Sequence, residues 1–248
     1  MNYIYLLWRL QWKRHLRFRI RIFSSLGQPL MFMCVLGFGI QPLFQKATQE
    51  NYIQFVCPGV VATALLTTSI VSGLGLIFDR QFGFLKQTLV APAPRVLIMF
   101  GRTLRGATVS VSEALLVLLA CFVVGFRPSG IQMLPMAVFF MLLIALMFNA
   151  LATAIAATLS DAQAFPLFTN FLFAPIAFLS GAYYPTTNLP VLLRWFAQLN
   201  PLSYGVDGLR GVLIGTYHFS PLTDFAVLSI ATVVLIIIGS YLFSKMEA

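Results

Sequence analysis

What most constrains this chain is a succession of charge-poor apolar runs, each about as long as a bilayer is thick. They lie at residues 22–44, 55–78, 106–126, 131–159, 162–184 and 223–243. A hydrocarbon core of about 30 Å takes about 20 apolar residues per spanning helix, so the runs predict six transmembrane helices. The chain is 59% hydrophobic and 9% charged, whereas a soluble domain is about 25% charged. A β-barrel would show alternating segments of about 10 residues, and these runs are continuous. The expected fold is an all-α membrane bundle. Pro29, Pro135, Pro166 and Pro175 stand inside the runs. They predict kinks rather than ends, because neighbouring helices satisfy the carbonyls that proline frees.

The net charge of +9 is spread unevenly. Arg9, Lys13, Arg14, Arg17, Arg19, Arg21, Arg80, Lys86, Arg95, Arg102, Arg105 and Lys245 fall on one side of the predicted spans, and Lys46, Arg127, Arg194 and Arg210 on the other. Lys and Arg accumulate in short cytoplasmic loops, so twelve against four puts both termini in the cytoplasm. The expected place is the cytoplasmic (inner) membrane, crossed several times, and the partner of the positive charge is membrane lipid rather than nucleic acid. The first apolar run is longer than the roughly 7–15 residues of a signal-peptide core, and no A-x-A site follows it. It reads as a retained span.

Two cytoplasmic segments have the character of contact surfaces. In residues 1–21, Arg9, Lys13, Arg17 and Arg21 fall four apart beside a stripe of Trp8, Trp12 and Leu16. A helix of this pattern lies in the headgroup region, tryptophans anchored and cations against anionic lipid. The connection after the second span, "FDRQFGFLKQTLVAPAPRVLIMFGR", carries a short amphipathic stretch, Phe82 to Val90, before Pro92 and Pro94 stop it. A charged, partly apolar elbow of this kind suits a protein contact. An interfacial helix covering the base of the bundle is the plainer reading.

Catalytic patterns are missing. "GRTLRGAT" places Ala107 where a phosphate-binding loop needs lysine. The two histidines, His15 and His218, form no paired motif, and no serine sits in a G-x-S-x-G elbow. Cys34, Cys57 and Cys121 lie far apart in sequence without metal-ligand spacing and read as small buried hydrophobes. Glu113, Asn149 and Asn170 are polar groups within spans, either lining a path or bonding helix to helix. Ala145, Asn149, Ala152, Thr153 and Ala156 give the fourth span a low-profile face for close packing.

The segment 185–222 is too apolar for a solvated loop and too broken to span. It predicts two short amphipathic helices divided at Asn200-Pro201, lying on or dipping into the outer leaflet. Non-helical backbone at membrane depth is tolerated only when buried in protein or lining a wet cavity, so such a cap closes the end of a path.

Here the sequence resembles the membrane subunits of ABC-2 type exporters. The resemblance runs through "DRQFGFLKQTLVAPAPR" and "FLSGAYYPTTNLPVLLRWFAQLNPLSYGVDGLR". It implies one transmembrane domain over 1–248: an interface helix at 1–21, spans one to five within 22–184, an outer re-entrant segment at 185–222 and the last span at 223–243. Trp8, Arg9, Trp12, Lys13 and Arg17 would form the interface helix. Asp79, Arg80, Phe82, Phe84, Leu85 and Lys86 would couple to an ATPase. Ser180, Gly181, Tyr184, Pro185, Asn200, Pro201, Tyr204, Asp207 and Arg210 would form the outer gate. The implied partners are a second copy of the chain and two copies of a separately encoded ABC ATPase. ATP and Mg would be held by that partner, with no cofactor or metal on this chain. The apolar path favours an amphiphile such as a drug, lipid or glycolipid. Without the resemblance, an ATP-independent channel, a secondary transporter or a scaffold for an ATPase fits the same spans.

Overall fold

The structure, a computed structural model, describes residues 19–48, 51–82, 95–159, 161–186 and 189–244. These residues form eight α-helices and no strand: α1 Arg19–Thr48, α2 Tyr52–Gln81, α3 Arg95–Val124, α4 Leu134–Thr158, α5 Ala164–Leu179, α6 Val191–Leu199, α7 Pro201–Ile214 and α8 Pro221–Ser244. By length and composition, α2, α4 and the segments Leu97–Val124 and Pro221–Phe243 are able to cross a membrane.

Several sequence expectations are corrected. α3 starts at Arg95, not near 106, so Arg102 and Arg105 belong to a helix rather than a loop. Arginine is a good helix former, and its long stem carries the charge out of apolar surroundings. The fifth expected span, 162–184, contains only the 16 residues of α5, or roughly 24 Å at the helical rise. Beyond Leu179 the Ser180 hydroxyl donates to the Ala177 carbonyl at 2.7 Å, and Gly181 turns the chain at φ +74°. That left-handed conformation suits glycine. Pro135 lies in the first turn of α4, and Pro166 is the third residue of α5. The missing N–H is harmless there, because the first N–H groups of a helix have no internal partner. Pro29 and Pro175 do lie inside helices. Cys34 is exposed, unlike Cys57 and Cys121, which meet across α2 and α3.

α4 occupies the centre, with α2, α3 and α8 packed around it; α5 sits at the edge, chiefly against α2. The five small or polar residues of the α4 face are enclosed within this subunit. Asn149 donates to the Ser69 and Ser110 hydroxyls at 2.8 and 3.1 Å, and Thr68 donates to Glu113 at 2.9 Å. Lipid tails are as apolar as leucine, so close packing and such bonds, averaging about 0.6 kcal/mol each, hold helices together in a bilayer.

Glycine at every third residue lets α7 pack closely, against α4 at Gly205 and Gly208 and against the loop that follows α7 at Gly211. A Cβ at Gly205 would meet Ile144, one at Gly208 the Phe140 ring, and one at Gly211 the Tyr217 ring. The starts of α2, α4 and α8 and the ends of α3 and α5 gather around α6 and α7. Ser129 on the loop after α3 donates its N–H to the Leu213 carbonyl at 2.8 Å, and Tyr52 donates to the Tyr183 carbonyl at 2.6 Å. We refer to this as the capped end.

Candidate functional site

The capped end is built around the break between α6 and α7. Asn200 is in extended backbone, and its side-chain oxygen accepts the Leu202 N–H at 3.0 Å, capping α7. Pro201 follows in the first turn, where its fixed φ favours helix. The Asn200 amide nitrogen donates to the Ile176 carbonyl at 2.7 Å, so the same residue joins the α6–α7 corner to α5. Ser203 donates to Ala197 and Tyr204 to Gln198, which closes the corner on itself. Tyr204 also stacks on Phe219, ring centroids 4.8 Å apart.

One turn further, Asp207 and Arg210 bind two different segments. Buried Asp207 accepts the His218 N–H at 2.9 and 3.0 Å and the Phe219 N–H at 2.7 Å. Bonds to an ionised acceptor are about twice as strong as neutral ones. Arg210 donates to the Gly181 carbonyl at 2.9 Å and to the Phe55 carbonyl at 3.3 Å, with its guanidinium 3.9 Å from the centre of the Phe55 ring. Ser180, Gly181, Asn200, Pro201, Tyr204, Asp207 and Arg210 are thus brought together. Tyr184 and Pro185 stand half-buried in the stretch beyond Gly181.

Two cavities adjoin here. One, of about 300 Å³, lies between α6, α7 and the turn after α5, lined by Ser180, Arg194, Gln198 and Ser203. The second, of about 590 Å³, reaches Asn51, Gln54 and Arg127. Thr186, Asp207, Arg210 and His218 line both. Burial, then the carboxylates of Asp224 and Asp207, hold the Tyr217 phenol above its usual pKa.

The other expected sites are not gathered here. Asp79 and Arg80 belong to the last turn of α2, and Phe82 follows at its C-terminal cap, exposed and stacked on Phe78. Asp79 accepts from Arg102 of α3 at 2.7 Å. Phe84, Leu85, Lys86, Trp8, Arg9, Trp12, Lys13 and Arg17 lie outside the described residues. Glu113 and Asn149 are buried in the polar seam between α2, α3 and α4. Asn170 is exposed on α5, beside a cavity of about 150 Å³ that includes Gln28, Thr63 and Thr67.

Sequence reasoning missed the glycine stripe of α7, legible as small residues at a spacing of three in "YGVDGLRG". It also missed Asp224, fully buried in the first turn of α8. An acid at a helix start usually reads as a solvated, dipole-favoured charge, which hides it.

A family profile described as ABC-2 type transporter matches residues 2–214. The chain is 30% identical over 198 residues to a putative transport permease, ycf38, of Cyanophora paradoxa, covering 77% of this chain and 67% of that protein. It is 25% identical over 200 residues to nodulation protein J of Rhizobium leguminosarum bv. trifolii, covering 78% and 74% of the two chains. The inner membrane transport permease YadH of Escherichia coli K12 is 26% identical over 182 residues, covering 72% and 69%. With a match over most of its length, the chain belongs to the ABC-2 type transporter family of membrane permeases.

Proposed function

We propose that this chain is the membrane-spanning permease of an ATP-driven exporter that moves an amphiphile across the cytoplasmic membrane. The observation that carries the reading is the capped end: two non-spanning helices, pinned by Asn200 and Arg210 to the end of α5, close one end of an apolar bundle over polar cavities. A scaffold needs no such closure.

In this reading α1 to α5 and α8 cross the bilayer, with α5 short because its end is turned into the cap. The helix starts at the capped end alternate with helix ends, which supports both termini lying on the opposite, cytoplasmic side. Two copies pair, each docked on a separate ABC ATPase that holds ATP and Mg. The relatives' names as transport permeases support transport. The path runs along α1 and α5. There Leu167, Phe168, Phe171 and Phe178 are exposed, and so is Asn170 among them. An amide turned to hydrocarbon without a partner is costly, so a second copy or a passing substrate covers that face.

ATP binding shifts the exporter between closed and open states through differential affinity. Asp79, Arg80, Phe82, Phe84, Leu85 and Lys86 transmit it at the cytoplasmic end, and the cap opens in response. The test is ATP-dependent accumulation of a fluorescent amphiphile in inverted vesicles carrying the permease and its ATPase. Phe84→Ala is expected to uncouple hydrolysis from accumulation. Accumulation that persists without ATP, or with the ATPase removed, would refute the reading.

A further inference from the structure

Loops on the outer side of a membrane protein are poor in Lys and Arg, and the sequence places four such residues there: Lys46, Arg127, Arg194 and Arg210. Three of the four, Arg127, Arg194 and Arg210, line the two adjoining cavities of the capped end. Asp207 is the one acid among the described lining residues, and its oxygens already accept three backbone N–H contacts from His218 and Phe219. The cavities are therefore a cationic hollow on a side otherwise sparing of cations.

A second, independent observation is the seating of α6. Val191, Leu192, Trp195, Phe196 and Leu199 are exposed along one side of it, whereas Ala197 on the other side is buried. Arg194 and Gln198, at the edge of the apolar side, line the smaller cavity. Tryptophan beside arginine on an amphipathic helix suits the boundary between headgroups and acyl chains. An apolar wall thus runs directly into a cationic mouth.

We propose that the capped end binds an anionic phospholipid of its own leaflet, with the phosphate between Arg194, Arg210 and His218, the rest of the headgroup toward Arg127 in the adjoining cavity and an acyl chain along Trp195 and Phe196. Guanidinium groups pair well with phosphate, in planar, charge-assisted hydrogen bonds. The apolar side of α6 selects a lipid over a free anion, and the two arginines select an anionic headgroup over a zwitterionic one. The site rests on the proposed placing of the capped end on the outer side, but not on transport, since a lipid held here would be bound with or without ATP.

The test uses the full chain in nanodiscs of phosphatidylcholine. Trp8→Phe and Trp12→Phe leave Trp195 as the only tryptophan of the three in the sequence. Brominated phosphatidylglycerol is expected to quench it at a lower mole fraction than brominated phosphatidylcholine. In the double variant Arg127→Gln, Arg194→Gln, both at exposed positions, the midpoint is expected to rise about tenfold, the loss of one or two charge-assisted bonds. Arg210 is left in place because it also holds Gly181. Phosphatidylglycerol retained through purification, counted by native mass spectrometry, is expected to fall in the same variant. Equal quenching by the two lipids, or an unchanged midpoint and unchanged retention in the double variant, would overturn the proposal. So would inorganic phosphate abolishing the preference, since the site would then take a free anion.

Discussion

Arg210 on α7 donates a 2.9 Å hydrogen bond to the carbonyl of Gly181, 29 residues earlier in the chain. The bond joins the second cap helix to the turn that ends α5, and the guanidinium rests on Phe55 of α2 as it does so. Asn200 makes the parallel link from the start of α7 to Ile176. The corner of the cap is therefore joined to the end of α5 by two polar side chains whose acceptors are backbone carbonyls. Leu202, Val206, Leu209 and Leu213 of α7 are meanwhile packed into the core of the bundle.

Asn200→Ala removes both the helix cap and the bond to Ile176. A lost cap costs about 1 kcal/mol and a lost buried hydrogen bond about the same, so the expected destabilisation is about 2 kcal/mol. Asn200→Asp keeps the capping oxygen and loses only the donor, so thermal unfolding in detergent is expected to place it between the parent and the alanine variant.

Asp207→Asn leaves one acceptor oxygen and turns an N–H group toward the His218 and Phe219 amides. Those two amides are expected to exchange hydrogen at least about tenfold faster, matching the loss of a charge-assisted bond. Hydrogen exchange read by mass spectrometry over 215–220 checks this. Unchanged protection would mean that the loop is held by something other than the carboxylate.

These positions mark how far the sequence could be read. Asn200, Asp207 and Arg210 were legible because polar residues in an apolar, proline-broken stretch must have partners. Their partners were not, since Gly181 and Ile176 contribute only carbonyls, which every residue has. The apolar runs announced the spanning segments, but run length does not report where a helix starts, so α3 begins about three helical turns earlier than its apolar run, at Arg95. Hydropathy likewise missed the early end of α5, because Ser180-Gly181-Ala182 carries no charge to mark it. There the decisive fact is a backbone turn at Gly181.

Gly59 on α2 passes so close to the turn after α5 that an added Cβ would fall on the Ala182 backbone carbonyl. Backbone yields less readily than a side chain, so Gly59→Ala is expected to cost about 1–3 kcal/mol, as overpacking does. Gly75 on the same helix has open space beside it. Gly75→Ala is expected to be neutral or to stabilise by up to about 1 kcal/mol. Equal melting temperatures for the two variants would contradict the close approach.

Asp224 is fully buried, and neither carboxylate oxygen has a hydrogen-bond partner among the described residues. The Asp207 carboxylate is near enough to repel it. Burying a carboxyl without a partner is costly, and Asp224→Asn removes the repulsion from Asp207 while leaving an amide equally unpaired, so a small rise in melting temperature is expected. A lower melting temperature would show that the acid itself holds the α7–α8 contact.

In the proposed function this permease works as half of a machine whose motor is another chain. The most direct measurement is the intact mass of the complex after gentle extraction from its native membrane and mild crosslinking. Two copies of this chain with two copies of an ABC-type ATPase are the expected result. A stable assembly of this chain without any ATPase would contradict the account.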